Sequence, residues 1–253
     1  MLVIKAHVDK VIELDNQIFL LKIHCSEIAS KIRPGQFLNV KVSDTIYPLL
    51  RRPFSVCDVK GDYFYLMFNI LGEGTKMLAH KHAGDLIDII GPLGHGFNLE
   101  GDYDTAIIVA GGLGVAPFPY FIKALDGGKN INCFIGGKTY KEVIMHGMKN
   151  ISVATDDGSL GFKGNIVELL NSKIDMLKLK RIKIFACGPN AMLRNLKEFC
   201  IRNEFECEAS IESAMACGFG ICQGCPIQSS ERSDKYLLIC KEGPVFNVKD
   251  VII

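Results

Sequence analysis

"TAIIVAGGLGVAPFPYFI", residues 105–122, is the longest uncharged run in the chain, and its length approaches that of a membrane span. Its interior argues against one. The glycines of "GGLG" and the prolines of "PFP" interrupt an apolar helix at its middle. The run divides instead into a buried strand, a glycine loop and the start of a helix. That is the opening of a βα unit, and it marks a change of rhythm along the chain.

Upstream, residues 1–100 carry short alternating runs, "QIFLLKIH", "GQFLNVKV", "FSVCDVK", "YFYLMFNI" and "DLIDIIG", punctuated by Gly, Pro and Asp. This pattern predicts an antiparallel barrel or sandwich. A single helix, "GTKMLAHKH", interrupts it, with Thr75 placed as its N-cap. From Asp104 onward apolar runs alternate with helical periods: "TAIIVAGG", "VAPFPYFIKALDGG", "NINCFIGG", "YKEVIMHG", "NIVELL", "RIKIFACG" and "AMLRNLKEFCIRN". A parallel sheet with crossover helices is expected there. The boundary falls near "NLEGDYD", residues 98–104. After "ECEASI" comes a third, cysteine-rich element. The expected organisation is an α+β two-domain chain: an antiparallel β-barrel over 1–100, an α/β parallel-sheet domain over 101–210, and a short C-terminal subdomain over 211–253.

The 253 residues hold 29 Lys plus Arg against 28 Asp plus Glu, a formal net charge of +1. No strong field exists to attract nucleic acid or an anionic membrane, so a small ligand or a protein partner is expected. Lys5, Asp9 and Lys10 interrupt the N-terminus before a signal-peptide core can form, and a cytoplasmic protein is expected. Ten cysteines are more than packing needs. Six of them, Cys25, Cys57, Cys133, Cys187, Cys200 and Cys207, sit mostly in apolar patterns and read as small core hydrophobes.

The other four are spaced C-x4-C-x2-C-x14-C, at Cys217, Cys222, Cys225 and Cys240, around "ACGFGICQGC", residues 216–225. Structural zinc sites use two C-x2-C knuckles, or one knuckle with histidines, and this tail has one knuckle and no His. Cys222 and Cys225 alone also match a redox-active dithiol. The full spacing is the plant-type ligand pattern for a [2Fe–2S] cluster, and four thiolates on a cluster is the expectation adopted. Gly218, Gly220 and Gly224 let the backbone curl round the sulfides and present N–H donors to them. Only 43 residues remain from Ile211 onward, so the tail must pack on the rest of the chain.

"VAGGLGVAPF", residues 109–118, places Gly112, Gly114 and Pro117 where a G-x-G-x-x-G would fall. Such a turn lets a pyrophosphate approach the backbone, although a bare tight turn uses the same residues. "ACGP", residues 186–189, closes an apolar run and should lie at the carboxyl edge of the sheet, where open α/β folds bind ligands. In the barrel, "RRPFS" (51–55) supplies an arginine, an aromatic face and a hydroxyl, and "GEGT" (72–75) opens a helix. From the chemistry alone, an exposed arginine and an ordinary helix cap remain the favoured account of these residues.

Taken in order, the motifs resemble the ferredoxin–NADP reductase superfamily, whose flavin barrel carries R-x-[YF]-S and G-x-[GA]-[ST] and whose nucleotide domain carries G-G-x-G-x-x-P and C-G-P. With the C-x4-C-x2-C…C tail, the whole chain is similar to the electron-transfer subunits of B-type, NAD-linked dihydroorotate dehydrogenases. The resemblance implies FAD bound by Arg52, Pro53, Phe54 and Ser55, with Asn69, Ile70 and Leu71 lining it and Gly74 and Thr75 at its pyrophosphate. It implies NAD bordered by Gly111, Gly112, Gly114, Pro117, Cys187, Gly188 and Pro189, with "TDDGSLGFKG" (155–164) at another edge. It gives the cluster to Cys217, Cys222, Cys225 and Cys240, and no side chain a catalytic acid–base role.

The implied activity is a relay in pyrimidine biosynthesis, from a catalytic partner's FMN through [2Fe–2S] and FAD to NAD, in a heterotetramer of two plus two chains. Three departures stand out. "ESAM" (212–215) lacks the charged residue relatives often place before the Met and "CPIQSSERSDKY" (225–236) is more polar than expected, both of which bear on the partner contact, and Phe54 has no phenol to donate. The same motifs suit a flavin/iron–sulfur NAD(P)H reductase subunit of another complex, of the bifurcating ferredoxin–NADP oxidoreductase or sulfhydrogenase type. Some such relatives replace one cluster cysteine with Asp; all four are Cys here. The rival of another class is a zinc-stabilised nucleotide-binding module without redox activity.

Overall fold

The computed structural model describes residues 1–125, 127–173, 175 and 181–253. Six antiparallel strands form the first unit: β1 (Leu2–Glu13), β2 (Ile18–His24), β3 (Phe37–Lys41), β4 (Arg52–Lys60), β5 (Tyr63–Asn69) and β6 (Leu86–Leu93). They close a barrel in the order β1-β2-β5-β4-β3-β6. Alternation fills it: Leu38 and Val40 of β3, Leu21 and Ile23 of β2, and Phe64 and Leu66 of β5 point into one core. Closure removes the exposed edges an open sheet would leave.

The strand that closes the barrel is absent from the runs above. β1 pairs with β2 on one side and β6 on the other. It buries only Ala6 and Val8 fully, and a register shift against β2 between Val8 and Lys10 interrupts its alternation. Two short helices decorate the barrel, α1 (Ser26–Ala29) and α2 (Glu73–Ala79). Thr75 is not the N-cap of α2. Gly72 holds that place, and Thr75 sits three residues on, its Oγ1 accepting from the Leu71 and Gly72 amides at 2.9 and 3.2 Å. The hydroxyl reaches back from inside the first turn, which a cap search that expects Ser or Thr at the boundary misplaces.

The second unit is a seven-stranded sheet built from β7 (Thr105–Gly111), β8 (Asn130–Gly137), β9 (Ile151–Thr155), β10 (Phe162–Lys163), β11 (Ile182–Cys187) and β12 (Glu206–Ser210), joined by a strand from the tail. The strands β7 to β12 pair in parallel. Helices α3 (Phe118–Leu125), α4 (Ile166–Asn171) and α5 (Asn190–Arg202) pack on it. The apolar run 105–122 therefore splits into β7, a 3₁₀ turn at Gly112–Val115 and α3. Among the described residues no helix is long and apolar enough to cross a membrane. Asp126, inside the run expected to continue α3, lies outside the described residues.

"YKEVIMHG" forms no helix beyond a 3₁₀ turn at Tyr140–Glu142. Val143 and Ile144 turn into the core instead, and Gly147 adopts φ +74°. One turn is too short to repay helix nucleation without a packed face.

The tail supplies a hairpin, β13 (Pro226–Gln228) and β14 (Tyr236–Leu238), and β15 (Val245–Asn247), which adds antiparallel to β12. It does pack on the rest of the chain, by main-chain pairing and by a shared core. The two larger units meet through aromatic contact. Phe97, just past β6, lies 5.5, 5.2 and 5.8 Å from the rings of Phe118, Phe121 and Phe185, a burial worth about 2 kcal/mol. Nearby, Lys183 is 1% exposed and spans Glu206 at 2.9 Å, Glu208 at 2.8 Å and the Asn98 carbonyl at 3.1 Å.

Candidate functional site

A cavity of about 430 Å³ opens where barrel, parallel sheet and tail converge. Strand β4 contributes Arg52, Pro53, Phe54 and Ser55; the end of β5 and the α2 turn contribute Asn69, Leu71, Gly74 and Thr75; the sheet's carboxyl edge contributes Pro117 and Cys187. Ile70, Gly111, Gly112, Gly114, Gly188 and Pro189 are not part of its lining. Ten of the sixteen residues expected at the two nucleotides therefore share one wall system. The other six are Ile70, beside Leu71 in sequence, and residues at the carboxyl ends of β7 and β11 and in the turns that follow.

Arg52 Nη1 donates to the carbonyls of Leu50 and Arg51 at 2.6 and 3.3 Å, which aims the guanidinium along the cavity rim. A Cβ on Gly74 would stand 3.4 Å from Arg52 Nε, so glycine there leaves the cationic group uncovered. Phe54 stands edge-on to Phe68 at 5.9 Å. Asn69 Oδ1 is buried with no hydrogen-bond partner. An orphaned acceptor at a cavity wall is costly by itself and suits a ligand that brings a donor.

The two glycines of the "GGLG" turn do different work. Gly112 has φ +53° and nothing within 4 Å of a would-be Cβ, so it is open to a ligand and conformationally demanding. Gly114 faces the other way, where a Cβ would lie 2.3 Å from the Cys187 carbonyl oxygen. It lets the turn pack on β11.

Sequence reading missed the wall that comes from the end of β12 and the start of the tail. Ser210, Ile211, Glu212, Ser213 and Met215 all line the cavity. Three residues of "ESAM", linked above to the partner contact, therefore also line the cavity, a placement no local signal in the sequence announces. Glu212 is exposed, yet desolvation by the surrounding protein pushes its carboxyl above the usual range. Burial, and then the Glu212 field, push the Cys187 thiol up, against a smaller pull from Ser210. Cys187 is thus a neutral thiol, not a nucleophile. The other five scattered cysteines are buried, as expected of core hydrophobes.

Two residues after Met215 the chain reaches Cys217. Its Sγ accepts from the amides of Phe219 and Cys222, both at 3.5 Å; Cys222 Sγ accepts from Gly224 at 3.4 Å, and Cys225 Sγ from the Cys240 amide at 3.4 Å. Gly218 and Gly220, at φ +81° and +90°, allow the curl that points these amides inward. Burial raises the Cys217 thiol, but the amides of Cys222 and Phe219 outweigh it and bring its pKa to about 6. Burial, then contact with Cys225, pushes Cys240 up to about 12. Among the described residues no three of His, Cys, Asp or Glu converge as a single-ion site. The four thiols fall into two contacting pairs, Cys217 with Cys222 and Cys225 with Cys240. Two pairs of soft thiolates suit two metal atoms better than one.

Residues 212–252 match the family described as the iron-sulfur cluster binding domain of dihydroorotate dehydrogenase B. Among solved structures, an NADH-dependent reduced ferredoxin-NADP oxidoreductase, described for flavin-based electron bifurcation, superposes with a TM-score of 0.85 at 26% identity over 98% of this chain and 89% of that one. A ferredoxin NADP+ reductase from Neisseria gonorrhoeae shares the fold, at TM-score 0.65 and 17% identity over 79% and 91%. The dihydroorotate dehydrogenase B (NAD(+)) electron transfer subunit of Desulforamulus reducens is 33% identical over 90% of both chains, and that of Bacillus velezensis 35% identical over 95% of both. The chain belongs to the family of dihydroorotate dehydrogenase B (NAD(+)) electron transfer subunits.

Proposed function

We propose that this chain carries electrons from the FMN of a dihydroorotate-oxidising catalytic subunit to NAD, with FAD in the cavity and a [2Fe–2S] cluster on Cys217, Cys222, Cys225 and Cys240. One observation carries the reading: the cavity wall runs without a break into the cysteine loop, Met215 lining the cavity two residues, at most about 7 Å of chain, before the first thiol. A cavity and a thiol cage so joined suit two redox groups in close succession. When bound, the cluster supplies one-electron steps and the flavin the two-electron hydride chemistry NAD requires.

The residues present fit both groups. The Arg52 guanidinium offers charge to a pyrophosphate beside the bare face of Gly74. The Asn69 acceptor awaits a donor, and Pro53, Phe54, Met215 and Pro244 give the cavity apolar wall. The hydroxyl of Thr75 is committed to the Leu71 and Gly72 amides, so it holds the shape of the α2 turn. Gly112, with its open face at the carboxyl end of β7, suits the nicotinamide nucleotide's pyrophosphate. A bound cluster would take all four cysteines as thiolates.

Cys222 is the exposed thiol of the four, so the partner's contact is assigned to its side of the tail. The subdomains 1–100, 101–210 and 211–253 then divide the labour among FAD, NAD and cluster. Ten free thiols suit the reducing cytoplasm, and a heterotetramer of two plus two chains is the proposed assembly.

The test is anaerobic co-purification with the same organism's catalytic subunit, followed by dihydroorotate-dependent NAD reduction and a native mass measurement. Activity requiring both chains is expected, and Cys222→Ser should abolish it while leaving flavin reduction by NADH intact. Survival of dihydroorotate-driven NAD reduction without the cluster would refute the relay. NADH reduction of flavin and cluster with no response to dihydroorotate would favour a reductase serving another complex, the class of the TM-score 0.85 neighbour.

A further inference from the structure

We infer that Asn39 is a positioning residue: its side-chain amide fastens the loop of the first cluster thiol to the flavin barrel and so sets the hydrogen bonding around the Cys217 sulfur. The inference rests on the cluster reading above. Along β3, Leu38 and Val40 face the barrel core, so Phe37 and Asn39 face outward. That outward face is covered by the tail. Phe37 packs in one core with Cys225 and Cys240, and Asn39 is 0% exposed.

Asn39 Nδ2 donates to the Cys217 carbonyl at 2.8 Å, across 178 positions of sequence. Its Oδ1 is buried without a partner. As packing alone, an amide left half unpaired is inferior to a leucine of similar shape. What the amide adds is position. Gly218 lies directly against it, for a Cβ there would stand 2.6 Å from Nδ2, and its φ of +81° turns the chain at that contact.

The support behind Asn39 is rigid. It pairs with Pro53 of β4 and Ile90 of β6, and Arg51 clamps the adjoining strand by 2.8 and 3.0 Å bonds to Asp88. The support in front is the turn itself, whose amides at Phe219 and Cys222 both reach Cys217 Sγ at 3.5 Å and do so only while the turn keeps its shape. With the Cys217 carbonyl held, the turn that presents both amides is held; released, it can drift beyond bonding distance. Pro53 also lines the cavity, so Asn39 links cavity wall and thiol loop a second time, independently of the covalent path through Met215.

The experiment uses the full chain co-expressed with its catalytic partner, wild type beside Asn39→Leu. It reads FAD and iron per chain, flavin reduction by NADH, the g-values of the reduced cluster and its midpoint potential. Amide bonds to sulfur favour the more negative reduced centre. In the variant the reduced-to-oxidised ratio at fixed potential should fall about tenfold, the weight of one such bond and about 59 mV for a one-electron couple. FAD content and flavin reduction by NADH should not change. Unchanged g-values and potential would overturn the inference.

If Asn39→Leu fails to retain iron, hydrogen exchange of the same chain decides. Faster exchange confined to the amides of Phe219 and Cys222 supports positioning, and faster exchange throughout β3, β4 and β6 makes Asn39 a packing residue and overturns it. A wild-type complex with no two-iron signal would bring down the cluster reading and this inference together. A normal wild-type signal left unaltered in the variant brings down this inference alone.

Discussion

Replacing Gly114 by alanine should damage this protein more than replacing Gly112, although both stand in the same glycine turn. An alanine methyl at 114 would lie 2.3 Å from the Cys187 carbonyl oxygen, 2.5 Å from its carbon and 2.7 Å from Gly188 Cα. All three are backbone atoms of β11 and the turn after it, and no side-chain rotation can relieve them. Ordinary contact needs roughly 1 Å more, so the turn at Gly112–Val115 must move off the sheet edge. Overpacking of that kind costs about 3 kcal/mol, or a fall in melting temperature of about 6–12 °C for a chain of this size.

At Gly112 there is open space and only the φ of +53° to pay for, a cost of about 1 kcal/mol. Its methyl would instead occupy the proposed path of the nucleotide's pyrophosphate. Urea or thermal unfolding of each flavin-loaded variant, paired with the KM for NADH in a dye-reduction assay, separates the two effects. Gly114→Ala should lose stability, and Gly112→Ala should raise KM with most stability kept. A Gly114→Ala protein within about 0.5 kcal/mol of wild type would refute the packing argument, and an unchanged KM in Gly112→Ala would remove Gly112 from the nucleotide site.

Asn69→Leu removes a buried acceptor that has no partner, so the flavin-free chain should be as stable as wild type or slightly more so; FAD affinity, by fluorescence titration, should nevertheless fall about tenfold. A parallel loss of both would mean Asn69 serves only the fold. Lys183→Met leaves Glu208 without its cation and should cost about 3 kcal/mol near neutral pH. Burial alone would lower the Lys183 pKa, but Glu208 and Glu206 outweigh it and hold the pKa above its ordinary 10.5. Its contribution is therefore complete below pH 10.5 and lost as pH climbs through the raised value. The stability gap between wild type and Lys183→Met should be constant through neutral pH and narrow in stronger alkali; a gap that closes on acidification to pH 7 would contradict this.

Much of the fold and of the candidate site was legible wherever residue types stand at a fixed local spacing. The four thiols at C-x4-C-x2-C-x14-C, the glycine turn ending an apolar strand, "RRPFS" and "ACGP" each combine chemistry with a separation the backbone itself preserves. The change of period at Asp104 separated barrel from parallel sheet for the same reason, since side-chain alternation is a property of consecutive residues. Where a feature needed a distant partner, the sequence was silent. β1 declares itself a strand by pairing with β2 and β6, not by its interrupted alternation. The division of Gly112 toward ligand space and Gly114 toward β11 is invisible in "GGLG", because it depends on where the Cys187 carbonyl comes to rest.

Glu212, Ser213 and Met215 became cavity wall only once β12 had delivered them to the barrel. Asn39 looks like one polar residue in an outward strand position until the tail folds over it and brings Cys217 within 2.8 Å. Local spacing is carried by covalent geometry and survives in the unfolded chain. Contacts across 178 positions exist only after the hydrophobic cores have paid the entropy of bringing them together.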